Sequence, residues 1–310
     1  LIVKITGDKL FNCLIYAGAL GLFILVLGMA LEIWREAGLS IESFGWSFLL
    51  SRSWNPVAGN YGALPYVYGT VVSTLLGLLL AGPISLGTAI FLVEFAPRRV
   101  KKTLGFLVDI LAAVPSIIYG LWGSFILVPV LLRYVEPWLG QHLGWLPFFQ
   151  GTPYGTGMLA AGIILAIMIT PVITAVSREV LEVVPANQRE ALLAMGATPW
   201  EVVRAAVLPY AGRGIVGAFT LGLGKAVGET LAVTMVIGNR PDISWSLFDP
   251  AHTMTSVIIN EFTEAVEPLH LSALIHIALL LFLVTLLINV LARLLIYQMS
   301  RVNRSVSYGP

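Results

Sequence analysis

Charge is what this chain has least of. Lys, Arg, Asp and Glu make up 11% of its 310 residues, while hydrophobic residues make up 57%. A soluble domain carries about 25% charge, so a water-facing globule is excluded and the chain belongs in a bilayer. Cysteine is almost absent. Cys13 stands alone, which excludes an intramolecular disulfide and a cysteine-rich metal site; it is expected to pack as a small apolar residue of the first helix. The four histidines, His142, His252, His270 and His276, lack the HExxH spacing of a zinc protease, and there is no GxSxG elbow. They read as interfacial or packing residues, with no catalytic set and no metal site. A net charge of +1 without a dense Lys/Arg tract gives nucleic acid no footprint.

What the chain does have is long apolar runs. A span needs about 20 mainly apolar residues, and six stretches qualify: 10–31, 66–93, 104–132, 158–176, 212–238 and 273–297. The first is longer than the ~7–15-residue core of a cleaved signal peptide, so it is read as an anchored helix. Pro83, Pro115 and Pro171 fall inside the second, third and fourth runs. Between the runs lie polar segments at 32–65, 136–157, 177–209 and 239–272. The second carries Trp138, Trp145, Phe148 and Phe149, as a segment at a membrane interface would.

Cationic loops stay in the cytoplasm. With the N-terminus inside, thirteen of the eighteen Lys and Arg fall on the inner side, among them Arg98, Arg99, Lys101, Lys102, Arg178 and Arg189. Four, Arg35, Arg52, Arg133 and Arg240, fall outside, and Lys225 lies within a span. Both termini are therefore expected in the cytoplasm. The outer segments hold nine acids, including Glu136, Asp242, Glu261 and Glu267. An anionic substrate would need delivery to such a face by a carrier protein; a merely solvated acidic surface explains it equally well.

The polar island at 177–209 reads as a rigid cytoplasmic knob. Pro185 suits the first turn of a helix, and Arg189 to Met195 are good helix formers. Gly196 can end that helix in the left-handed conformation. Thr198, Pro199 and Glu201 then restart one, as cap, first residue and capping-box partner. Pro209 is expected to end this second piece before the fifth span.

Within that span Lys225 and Glu229 stand four residues apart, on one face of an uninterrupted helix. Each costs roughly 2.5–3.5 kcal/mol in a membrane, so they should face a bundle interior or a watery path. Two readings remain open: an anion pathway through Lys225 with Glu229 tuning it, or a buried structural ion pair. Gly214, Ala218, Gly222 and Ala226, with Gly224 and Gly228, would let neighbouring helices approach closely. The glycine run is neither a Walker A loop, having Phe219 and Ala226 at the diagnostic positions, nor a dinucleotide fingerprint. The chain itself should not bind or hydrolyse ATP and needs no cofactor of its own.

The spacing Glu190-Ala191, four residues, Gly196, eleven residues, Leu208-Pro209 resembles the EAA loop of ABC-importer membrane subunits, with Leu192 and Ala206 departing from the usual Ala and Ile. Further stretches are similar to the C-type membrane subunits of high-affinity phosphate ABC importers: Trp54-Asn55-Pro56, Gly62-Ala63-Leu64-Pro65, Ala112 to Gly123 with its Tyr119-Gly120-Leu121-Trp122-Gly123, Ser177-Arg178-Glu179-Val180, and Gly228-Glu229-Thr230 to Asn239. Lys225 stands where that family often has Arg; it keeps the charge but lacks the bidentate fork.

The resemblance implies an all-α integral membrane protein with six transmembrane helices, a type I ABC importer permease fold and a cytoplasmic coupling helix. Residues 1–65 would hold an N-terminal helix and an extracytoplasmic segment, 66–297 the importer domain, and 298–310 a cytoplasmic tail. It implies a transport pathway at Lys225, Glu229 and Thr230, and ATPase coupling through Arg189, Glu190, Ala191 and Gly196. The implied partners are a second, A-type permease, an ATPase homodimer that binds ATP and Mg, and a periplasmic phosphate-binding protein, assembled in a bacterial inner membrane. A permease for molybdate or sulfate is the alternative within the class. A stand-alone secondary transporter or channel is the alternative outside it.

Overall fold

The computed structural model describes the backbone of residues 2–306 and the side chains of residues 9–298. Leu1 and the last four residues of the expected tail lie outside the described residues. Among the described residues, six helices are long and apolar enough to cross a membrane: Lys9–Glu36, Leu64–Phe95, Ser116–Leu143, Met158–Glu182, Pro199–Val227 and Pro268–Gln298. The sixth belongs to a helix that continues to Val306, so helix extends into the expected tail.

The fourth span is the axis of the bundle, with 67% of its apolar window buried. It packs on the second span through mutual glycine contacts. A Cβ on Gly77 would lie 2.9 Å from Leu165 Cβ, and one on Gly162 would overlap the Leu76 side chain. Small residues allow backbones to close to this distance where lipid supplies no hydrophobic drive. Most of the expected stripe on the fifth span works the same way: Gly222 faces Ile173, Gly214 faces Val180, and Ala218 and Ala226 are buried, whereas no other helix comes close to Gly224 or Gly228.

The first span differs from the rest, with none of its window buried. It is tied at its end, where Ser272 Oγ donates to the Glu36 carbonyl at 2.8 Å. Cys13 is consequently exposed rather than packed. Two short helices follow, Gly38–Phe44 and Ser47–Leu50. They dock on the sixth span, with Ser40 Oγ 3.0 Å from His276 Nδ1 and Phe48 stacked on the same imidazole at 4.1 Å.

Prolines set the fine structure of the spans. Wide π-turns cover Phe91–Phe95, Gly123–Leu127, Leu131–Val135 and Val203–Val207. A proline stands two residues beyond each: Pro97 follows the end of its helix, while Pro129, Pro137 and Pro209 lie within a continuing one. A proline in a regular helix lacks one donor and crowds the carbonyl four residues back; an i to i+5 turn displaces that carbonyl. Pro209 therefore does not end the helix that begins at Pro199, contrary to expectation. The helix passes through the π-turn and becomes the fifth span.

The third span is also redrawn. Val114 and Pro115 are extended, so the expected run of 104–132 is cut there. Before the cut lies an amphipathic helix, Arg98–Ala113, and after it the continuous apolar helix Ser116–Leu143. Glu136, expected on a solvated outer loop, is buried near the end of this span and accepts the Gly155 N–H at 2.8 Å.

Candidate functional site: an interrupted span joined to a polar knob

The fifth span stops inside the bundle. Its regular helix ends at Val227, where the Gly228 N–H still reaches the Gly224 carbonyl at 3.2 Å. The chain then turns through Glu229 and Thr230 before a short helix, Leu231–Thr234. Three glycines in seven residues make the helix easy to break here. The single face expected for Lys225 and Glu229 therefore does not exist, and no ion pair joins them.

Each charge meets a helix end instead. Lys225 lies in the last turn of its helix, half-buried, where the C-terminal dipole favours a cation. It makes no hydrogen bond or ion pair with any described residue. Glu229 is buried and accepts the Ala232 N–H at 3.2 Å, capping the helix that follows. Thr230 Oγ1 donates back to the Gly228 carbonyl at 3.3 Å.

A segment that the sequence reading leaves outside supports this break. Residues 251–257 are all buried. Thr255 donates to the Glu229 carbonyl at 2.7 Å, and Thr253 and Ser256 form a capping box for the helix Met254–Glu261. Thr70 of the second span accepts the Met254 N–H at 2.9 Å, and the His252 backbone passes directly over Gly69. Burial pushes the His252 imidazole down to about 4. The pattern Thr253-x-x-Ser256 was the one local signal of this return.

The short helix Leu231–Thr234 lies against the start of the third span. A Cβ on Gly120 would meet Ala232 Cα at 3.0 Å, and Ser124 Oγ donates to the Met235 carbonyl at 2.9 Å. The start of the third span and the short helix that follows the break thus run side by side in the same direction.

At the other extreme of the same helix sits the knob. Pro185 stands just before the helix Ala186–Ala194 rather than in its first turn. Gly196 has φ +88°, and the Ala197 N–H returns to the Leu192 carbonyl at 3.1 Å, closing the helix as expected. Thr198 and Glu201 complete the capping box, with the Thr198 N–H donating to Glu201 at 2.7 Å. From Pro199 the chain is helical for 29 residues, roughly 40 Å at 1.5 Å per residue. One stiff element therefore connects the knob to Lys225.

The knob's residues divide by direction. Arg189 points inward. Its guanidinium meets Glu94 at 2.8 and 3.2 Å, donates to the Leu181 carbonyl at 2.9 Å and also reaches the Val184 carbonyl. It locks the knob to the ends of the second and fourth spans. Glu190, Ala191 and Gly196 are on the exposed surface. Beside them Leu193, Met195 and Trp200 are 49%, 75% and 56% exposed, three apolar side chains offered to solvent on the same projection. Beneath it Leu181, Val184, Val202, Val203 and Val207 form a separate small core with Ala89 and Ile90.

Residues 73–301 match the family model described as the binding-protein-dependent transport system inner membrane component. The chain is 43% identical to the Mesorhizobium japonicum protein named phosphate transport system permease protein PstC, over 96% of this chain and 91% of that one. A Haemophilus influenzae protein of the same name is 43% identical over 95% of this chain and 94% of its own. A Methanocaldococcus jannaschii protein, a probable PstC by name, is 35% identical over 93% and 91%. Among solved structures, an inward-facing MetNI methionine ABC transporter chain superposes with a TM-score of 0.56 at 21% identity, covering 76% of this chain and 94% of that one. That likeness concerns the fold. Six apolar spans, a polar knob and a match across most of the length agree: the chain belongs to the family of binding-protein-dependent transport system inner membrane components.

Proposed function

We propose that this chain is a membrane subunit of an ATP-driven importer that carries inorganic phosphate into the cytoplasm. The observation that carries the reading is near-full-length similarity to proteins named as phosphate permeases. The knob faces the cytoplasm, as the weight of Lys and Arg at that end favours, and both termini lie on that side of a bacterial inner membrane. The exposed side chains of Leu193, Met195 and Trp200 dock on a separate ATPase subunit, with Glu190, Ala191 and Gly196 at the contact. ATP and Mg are bound by an ATPase homodimer, and this chain performs no hydrolysis. A second, A-type permease completes the pathway, and a phosphate-binding protein delivers the anion to the acidic end.

Movement follows from stiffness. Closure of the ATPases pulls the knob, and the helix from Pro199 to Val227 transmits that displacement to the break at Gly228. Lys225, Glu229 and Thr230 lie there, at a joint that can reorient without unfolding a regular helix. An unpaired lysine in a membrane is costly, and a transported anion is the partner that would compensate it. Glu229 holds the short helix in place rather than neutralising Lys225.

The test is Lys225→Gln in the assembled complex. Phosphate uptake should fall at least tenfold while the subunits still copurify and the ATPase still turns over. Normal uptake by that variant would remove Lys225 from the pathway.

A further inference from the structure

The amphipathic helix Arg98–Ala113 carries a cluster that the transport reading does not use. With the end of the fourth span it forms a cleft of about 480 Å³ containing Arg98, Lys101, Lys102 and Arg178, and the acids Asp109 and Glu182. Two of the cations are neutralised: Lys101 Nζ lies 3.1 Å from Glu182, and Arg178 Nη2 lies 3.2 Å from Asp109. Arg98 and Lys102 have no ion-pair or hydrogen-bond partner among the described residues. The cleft is left with two uncompensated positive charges. Its floor depends on Gly105, where a Cβ would stand 2.5 Å from the Arg178 guanidinium.

The pairings also fix how this helix lies. Lys101 faces Glu182 and Asp109 faces Arg178, so the helix runs antiparallel to the fourth span. Its basic start is level with the end of that span, and its later turns reach inward. On the flank of the helix that adjoins the cleft, Phe106, which lines it, and Ile110 form a stripe at helical spacing, each about half exposed or more. Arg99 and Lys102 lie at the head of the same stripe. A surface with cations at the level of the bilayer's headgroups and an apolar strip leading inward fits one class of ligand.

We propose that this cleft binds the phosphodiester headgroup of an anionic phospholipid, such as phosphatidylglycerol, with its acyl chains along Phe106 and Ile110. Free phosphate would match the cations but leave the apolar strip uncovered, and a soluble acidic peptide would do the same. The lipid covers both. Basic residues near a membrane surface each strengthen binding to anionic lipid by about fivefold.

The experiment uses the assembled complex in nanodiscs of phosphatidylcholine with or without phosphatidylglycerol, followed by native mass spectrometry of the retained lipid. Wild type should retain phosphatidylglycerol in preference to phosphatidylcholine, and Arg98→Gln with Lys102→Gln should weaken retention roughly 30-fold. The charge-keeping pair Arg98→Lys with Lys102→Arg should restore it. Equal retention of both lipids, unchanged retention in the neutralised variant, or displacement of the lipid by millimolar inorganic phosphate would each overturn the proposal. Should the neutralised variant not assemble, photoactivatable phosphatidylglycerol on wild type decides. Adducts within residues 98–113 support the site, and adducts only elsewhere refute it.

Discussion

Replacing Arg189 with alanine should release the knob from the bundle. The guanidinium holds Glu94, the Leu181 carbonyl at the end of the fourth span and the Val184 carbonyl just beyond it at once, so its loss strips a half-buried carboxylate of its cation and two carbonyls of a charged donor. Breaking a fully buried pair costs about 3–5 kcal/mol. Here the side chains are 21% and 13% exposed, and water can reclaim part of the charge, which reduces the figure to about 2 kcal/mol. That is roughly a 30-fold shift in the equilibrium between a docked and a loose knob. Hydrogen exchange across residues 183–198 in the assembled complex should speed up by about that factor, and phosphate carried per ATP hydrolysed should fall. Arg189→Lys should recover part of the effect, because lysine keeps the charge but not the fork. Glu94→Gln should lower protection by itself, and a double-mutant cycle should show coupling of about 1–2 kcal/mol. Unchanged exchange in Arg189→Ala, or strict additivity with Glu94→Gln, would refute the idea that this pair sets the knob's position.

Other consequences can be checked independently. Gly196→Val forces a β-branched residue to φ +88°, which costs about 1–2 kcal/mol or more; ATP hydrolysis should proceed without matching uptake, or the ATPase should fail to copurify. Gly162→Leu drives a side chain into Leu76 where the second and fourth spans meet; overpacking of this kind costs about 1–3 kcal/mol, and the thermal midpoint of the purified protein should fall. His252 is held neutral by burial, with its proton affinity pushed from 6.5 down to about 4. As pH drops below 6.5 the unfolded chain takes up a proton that the folded chain refuses. Stability should therefore decline between pH 6.5 and 4, by about 3 kcal/mol at the lower limit, and stay flat above 7 on this group's account. His252→Gln should flatten that part of the profile.

The six spans and the knob were legible because both rest on local rules. Apolar run length decides insertion, and Gly196, Thr198 and Glu201 specify a helix stop and restart within six residues. What escaped was decided by contacts far apart in the chain. In sequence Arg189 belongs to the docking loop, yet its partner Glu94 is 95 positions away, and only the fold reveals that it faces inward. The spacing of Lys225 and Glu229 fits an ion pair only if the helix continues. Support from Thr255 and capping of Leu231–Thr234 make the break at Gly228 the stable form. Pro209 terminates a regular helix, but the π-turn before it removes the clash. The return of residues 251–257 into the bundle could not be inferred from hydropathy, since their threonines, serine and histidine are buried through hydrogen bonds and packing rather than through apolar character.

The central claim is that this chain moves phosphate under ATPase drive, and the direct measurement is radiolabelled phosphate uptake into proteoliposomes holding the full complex. Uptake should require ATP and the phosphate-binding protein, resist displacement by excess molybdate or sulfate, and fall at least tenfold in Lys225→Gln. Uptake independent of ATP, or transport of molybdate or sulfate in preference to phosphate, would contradict it.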